Sequence, residues 1–399
     1  MNANKCIYCH KSGPFTDEHV ISAGLGGDDR RFILENMVCK KCNSDVFSKL
    51  EASFLRRTPT ALGRQFLQAK GRKRGSKANP PKLEAKSKAL IDEDGKFLEI
   101  ELEGHGHPLL LPQFVLTGDC EVSITGSEEI SLRLFVEEVR LLLDASVTVA
   151  EKDAGATTPN CTTLSWKLGK YEIEKSEISL KLPNHYIWRT VMDAPKNDIP
   201  VSRARMFKRR NGKIVLHVTQ DFGIAQAISI FRKAIEQSNM ATVAKVRDIQ
   251  NPLVRLDLQF DLNATGRVLA KIGLNMLTHL LGDEYITHSS FQLIKNSIFN
   301  GTPPILSFPS EANESLKIAF SGLPSTHHGF ALFALSEGDG ICNFGLFTRL
   351  YGSQIEVVHL GRGFPMPNFD FPVFFTVDYG NHVIEMHNML EFISKYSFR

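Results

Sequence analysis

Cys6-Ile-Tyr-Cys9 and Cys39-Lys-Lys-Cys42-Asn43 bracket the stretch whose reading decides the fold. Between them lie Phe15-Thr-Asp-Glu18-His19-Val-Ile-Ser22, then Gly24-Leu-Gly-Gly27, then Leu34-Glu-Asn36. Two residues between the thiols of a pair let both sulfurs point at one tetrahedral ion. Two such pairs close a four-sulfur shell, so Cys6, Cys9, Cys39 and Cys42 are expected to hold a structural zinc. A disulfide framework is the weaker explanation in a chain that opens without a charged-then-apolar leader pattern. A redox C-x-x-C is weaker too, because neither pair opens a helix inside a strand-helix-strand unit. Cys120, Cys161 and Cys342 stand singly and read as buried apolar residues.

Two histidines fall inside the bracket. His10 follows Cys9 directly and belongs to the zinc loop, whereas His19 is placed to act as a base, since a neutral imidazole titrates near about 6.5. Glu18 precedes it in an extended segment. Neighbours on a strand point to opposite faces, so Glu18 and His19 can serve one site only if the backbone bends or bulges.

The order carboxylate, His, glycine loop, Asn, knuckle, Asn resembles the HNH endonuclease family, and more closely its members with two zinc knuckles. The likeness covers about the first 55 residues. It implies a ββα-metal module over residues 1–58 in which His19 is the general base and Asn36 braces the loop that orients it. It also implies that Glu18 and Asn43 hold a catalytic Mg or Mn ion. Glu and Asn oxygens are hard ligands suited to such ions. The sequence departs from the family's third letter, with Asn43 where many members have His; Asp45 or Glu51 on the following helix could add a ligand.

Outward from the module, Asn43 to Leu55 reads as a helix, with Phe47, Leu50 and Phe54 at helical spacing. Residues 1–55 balance seven basic against seven acidic groups, while residues 56–88 carry eleven Lys and Arg against Glu84 alone. With a total of +3, that segment's +10 leaves −7 for residues 89–399. A basic linker over residues 59–90 is therefore expected. Arg56, Arg57, Arg64, Lys70, Arg72, Lys73, Arg74 and Lys77 are its candidate nucleic-acid contacts, lying along the phosphate backbone without reading sequence.

Of the 399 residues, 42% are hydrophobic and 23% charged, which excludes disorder, collagen-like repeats and a disulfide-stapled miniprotein. No apolar run is long enough to span a membrane. Residues 91–399 read as one α+β region with an antiparallel sheet, divisible near 193–200. Strands are expected at Phe97–Leu102, Lys213–Val218, Leu316–Phe320, Gly329–Ala334, Gln354–Leu360 and Phe371–Thr376. Helices are expected at Ile130–Asp144, Gly223–Glu236, Thr265–Leu281 and His382–Tyr396. Arg267, Lys271, Asn275 and His279 recur every four residues and read as a solvated helix face. Neither His105-Gly-His107 nor His327-His328 has the thiol or acidic companions a metal site requires. P-loop, dinucleotide and G-x-S-x-G patterns do not occur.

The expectation is thus a cytoplasmic endonuclease that hydrolyses DNA rather than RNA, nicking or cutting as a dimer, with zinc structural and Mg or Mn catalytic. By analogy alone, restriction and anti-phage systems with protein partners supply a context. The alternative is a non-catalytic zinc module that tethers a ligand- or partner-sensing C-terminal domain to nucleic acid.

Overall fold

The computed structural model describes residues 5–68, 81–117, 121–153, 156–192, 202–238, 246, 248–309 and 314–396. The expected division near 193–200, Cys120 and the basic residues Lys70 to Lys77 lie outside these.

β1 (Phe15–His19) and β2 (Ile33–Cys39) pair antiparallel, with Phe15 opposite Cys39 and His19 opposite Ile33. The register jumps between Thr16, opposite Val38, and Glu18, opposite Leu34, so Asp17 alone faces Glu35, Asn36 and Met37. Asn36 takes up the surplus at φ 57, in the left-handed region that Asn tolerates better than most residues. A π-helical turn, Lys41–Phe47, runs straight into α1 (Ser48–Arg57). Pro59 then forces Thr58 out of the helical region, and α2 (Pro59–Leu67) restarts with that proline in its first turn.

The chain is mixed α+β and forms two compact units. They divide it along a different line from residues 1–58, 59–90 and 91–399. One unit joins Met1–Ala85 and Gly104–Gly106 to Leu258–Arg399. In it, Val20, Leu25, Phe47 and Phe54 of the amino-terminal segment share a single core with Leu269, Ile272, Met276 and Leu346. The long helix Leu262–Ile286 runs through this core, beside a six-stranded sheet. Every pairing in that sheet is antiparallel, in the order Ser307–Pro309, Glu356–Pro365, Ile341–Arg349, His327–Gly338, Val373–Asp378, Val383–His387.

Two expectations about this unit are corrected. Leu316–Phe320 belongs to a helix, Glu314–Ser321, because a five-residue apolar run carries no period that separates strand from helix. His382–Tyr396 splits into the strand Val383–His387 and the helix Met389–Tyr396, the second half alone keeping the helical spacing, with Phe392 and Tyr396 buried.

The other unit, Lys86–Glu103 and His107–Asp257, holds an eight-stranded and a four-stranded sheet. The larger is mixed: Ile187–Met192 runs parallel to both Ser146–Glu151 and Ile214–Thr219. Its helices Glu129–Leu142 and Ile224–Gln237 cover the face bearing Phe114, Leu116, Met206 and Leu216. On the other face, Arg205 and His217 close a buried network on Glu99 of the smaller sheet, at 2.7 and 3.0 Å. Among the described residues, no helix is long and apolar enough to cross a membrane.

Candidate metal centre and active site

The four knuckle thiols converge. Sγ of Cys6 lies 3.8 Å from that of Cys42, Sγ of Cys9 lies 3.6 Å from that of Cys39, and all four fall within 4.8 Å of one another. A tetrahedron with metal–sulfur bonds of about 2.3 Å has edges of about 3.8 Å, so the cluster has the size of a zinc shell. Local backbone shapes it. His10, at φ 56, donates its N–H to the Cys6 carbonyl at 2.9 Å, and the Cys39 N–H points at the Cys6 sulfur at 3.4 Å. The hydrogen bond with Cys42 draws the Cys6 thiol down to about 4, toward the thiolate a metal needs. Cys161 and Cys342 are buried, as expected of apolar residues.

Glu18 faces inward. It is 4% exposed, and its carboxylate is hydrogen-bonded by the Lys271 ammonium, itself 1% exposed. Lys271 also donates to Glu51 at 2.6 Å, and Ser22 Oγ reaches the same Glu51 oxygen at 2.6 Å. Asn275 completes the cluster. Its amide nitrogen donates to the His19 carbonyl at 3.0 Å, and its oxygen accepts from the Tyr8 hydroxyl at 2.6 Å. Burial pushes the Glu18 carboxyl above its ordinary value, and Lys271 only partly offsets it. For Glu51, burial is outweighed by Lys271, Ser22 and His19, and the carboxyl is held down. Burial alone would lower Lys271, but the two carboxylates hold it above the usual lysine value.

On the long helix, Lys271 and Asn275 are buried and Arg267 and His279 half-buried, correcting the reading of this stripe as a solvated face. Val268, Leu269, Ala270, Ile272, Leu274 and Met276 are all fully buried, so this stretch has no solvent side. Polar residues there must find partners inside the protein. Arg267 does so by capping the helix Gln292–Asn300 through the carbonyls of Ile298 and Phe299, and the His279 ring packs 5.1 Å from Phe32.

His19 is half-buried at the end of β1 and lies in the electrostatic reach of Glu51. The Asn43 amide donates to the Asp17 carbonyl at 2.9 Å and to Thr16 Oγ1 at 3.1 Å, pinning the start of the helical segment to β1. Asn36 is exposed at the β2 bulge, and Asp45 is exposed too. The fold thus brings Asn43 against the residues just before Glu18 and His19, while the Glu18 carboxylate points away into the core. This donor set does not fit a Mg or Mn ion, which keeps several waters: the candidate carboxylate is dry and already holds an ammonium.

The glycine loop is dictated by close packing. Gly26 sits at φ 83, where a Cβ would come within 2.6 Å of the Tyr379 Cα, and a Cβ on Gly27 would lie 2.3 Å from the Ile21 carbonyl. Arg64 is buried and donates to the Gly24 carbonyl at 3.2 Å, so it buttresses this loop and does not face a polyanion. Arg56 and Arg57 are exposed and share Glu84, the one acid of the basic segment. Sequence reasoning missed Lys271, Asn275 and Tyr8 as members of the site; the four-residue recurrence on an otherwise apolar helix was the available signal.

No curated protein and no solved structure matches the chain. Residues 6–59 match the family model described as HNH endonuclease, and the four-sulfur cluster with the strand-strand-helix around it lies within this stretch.

Proposed function

We propose that the chain is an endonuclease that hydrolyses the phosphodiester bonds of DNA, with His19 as general base. The observation that carries the reading is the HNH match over a zinc-sized thiol cluster with His19 at the end of β1. The imidazole takes a proton from water, the hydroxide attacks phosphorus in line, and the P–O3′ bond breaks. The products are a 5′-phosphate and a 3′-hydroxyl, the leaving oxygen taking its proton from solvent. Zinc on Cys6, Cys9, Cys39 and Cys42 braces the scaffold. Asn43 fixes the helical segment to the strand that carries His19. Glu18 is engaged by Lys271, so His19, and no Mg or Mn ion held at this carboxylate, carries the proposed chemistry. Arg56 and Arg57, with Lys70, Arg72, Lys73, Arg74 and Lys77, contribute sequence-independent affinity.

One module cuts one strand, so nicking is the default and double-strand cleavage requires a dimer. The setting we favour is cytoplasmic, in a restriction or anti-phage system with protein partners, with residues 86–257 in recognition or gating. A non-catalytic nucleic-acid-binding module is the second reading, favoured by one observation, the capture of Glu18 by Lys271. Supercoiled plasmid incubated with zinc-loaded protein in Mg or Mn separates the two. Open circles support cleavage, whereas a retarded but intact plasmid supports binding alone.

A further inference from the structure

We propose that Lys271 is the resident cation of the Glu18 site: its ammonium permanently holds the place beside this carboxylate where the HNH pattern puts a divalent ion. The inference rests on geometry and stands whether or not the module cleaves DNA.

Glu18 and Glu51 reach the same ammonium from two different elements, β1 and α1, and Ser22 and Asn275 take up further oxygen valences around them. A divalent ion needs this carboxylate with room for several waters. Here the carboxylate is enclosed by a fully buried lysine and a fully buried asparagine. Nor is the lysine a removable plug. It projects from the stretch of the long helix where Val268, Leu269, Ala270, Ile272, Leu274 and Met276 are all fully buried. Withdrawing the ammonium means either stranding two carboxylates in the core or extracting the helix from it. One turn on, Asn275 grips the His19 carbonyl and the Tyr8 hydroxyl, so the helix that supplies the cation also sets the strand and a zinc knuckle. Lys271 is thus a positioning residue, fixing β1 and α1 as an ion would, without exchange with solvent.

The test is a Mn titration of the zinc-loaded full-length protein, read from the electron paramagnetic resonance of free Mn, with zinc content measured in every sample. Wild type and Glu18→Gln are expected to bind Mn with the same stoichiometry and affinity. Lys271→Ala is expected to gain one Mn per chain, and Lys271→Ala/Glu18→Gln to lose that gain. A Glu18→Gln protein that binds Mn about 10-fold or more weakly than wild type overturns the proposal, since that is the loss a true ligand gives. A folded Lys271→Ala that gains no Mn overturns it as well. If Lys271→Ala does not fold, the comparison of wild type with Glu18→Gln still decides. Plasmid nicking is scored separately, so failure of the nuclease reading leaves this result untouched.

Discussion

Replacing Lys271 by Met is the sharpest perturbation available, because it keeps the volume of the side chain and removes its charge. At 2.6 Å from Glu51, and at an effective dielectric constant of about 20, the gross attraction is about 6 kcal/mol. Desolvation of the ammonium offsets much of this in the intact protein. After the substitution, however, Glu18 is left buried with no counter-charge, and removing one partner of a buried pair costs about 3–5 kcal/mol. Urea unfolding followed by hydrogen exchange of peptides covering residues 15–25 and 262–286 reads the loss where it occurs. The triple variant Lys271→Met/Glu18→Gln/Glu51→Gln removes every charge together and is expected to recover at least half of the loss. The pH dependence has a definite sign. Burial already raises the Glu18 carboxyl, and losing Lys271 raises it further, so its folded pKa stands above the unfolded one. The protonated acid then favours the fold, and Lys271→Met should regain stability as pH falls from 8 to 5. A Lys271→Met protein within about 1 kcal/mol of wild type, or one whose deficit does not change with pH, would mean that Lys271 does not neutralise Glu18 in the core.

The metal centre predicts one zinc per chain by elemental analysis, lost in Cys42→Ser. Because such a site contributes its binding energy to folding, protection of residues 5–58 from exchange should collapse on chelation. Gly26→Ala forces a Cβ into the Tyr379 backbone at positive φ and should cost about 1–3 kcal/mol in thermal or urea melts, with Gly13→Ala, which meets nothing within 4 Å, as the silent control. Changing Lys70, Arg72, Lys73, Arg74 and Lys77 to Gln should flatten the dependence of log affinity on log salt by up to about 4.5 for duplex DNA. Fluorescence anisotropy at several salt concentrations measures it.

The zinc cluster was legible because thiol spacing is a local signal: two C-x-x-C pairs already determine what can close a tetrahedron. The α+β class, the helices Glu129–Leu142, Ile224–Gln237 and Leu262–Ile286, and five of the six expected strands followed from periodicity, whereas the strands between Pro108 and Lys208 were not read from it. What the sequence hid was tertiary. Nothing in residues 1–58 shows that Phe47 and Phe54 share a core with Leu269 and Leu346, more than 200 positions away. Likewise, a four-residue recurrence of Arg, Lys, Asn and His has the same pattern whether it faces water or a buried strand. Only the surrounding apolar residues of the long helix distinguish the two cases, and their weight was underestimated. Glu18 drew attention as a metal ligand through its neighbour His19. Its partner is a lysine 253 residues away, a separation that no local pattern carries.

Whether His19 drives hydrolysis is measured by a single comparison. Zinc-loaded wild type and His19→Ala, matched in zinc content and circular dichroism, are incubated with supercoiled plasmid and the open-circular fraction is followed with time. Wild type is expected to make nicks that a ligase can reseal, and His19→Ala to make them at a rate at least about 100-fold lower. Equal rates for the two proteins, or no nicking by either, contradict the role of His19 as general base.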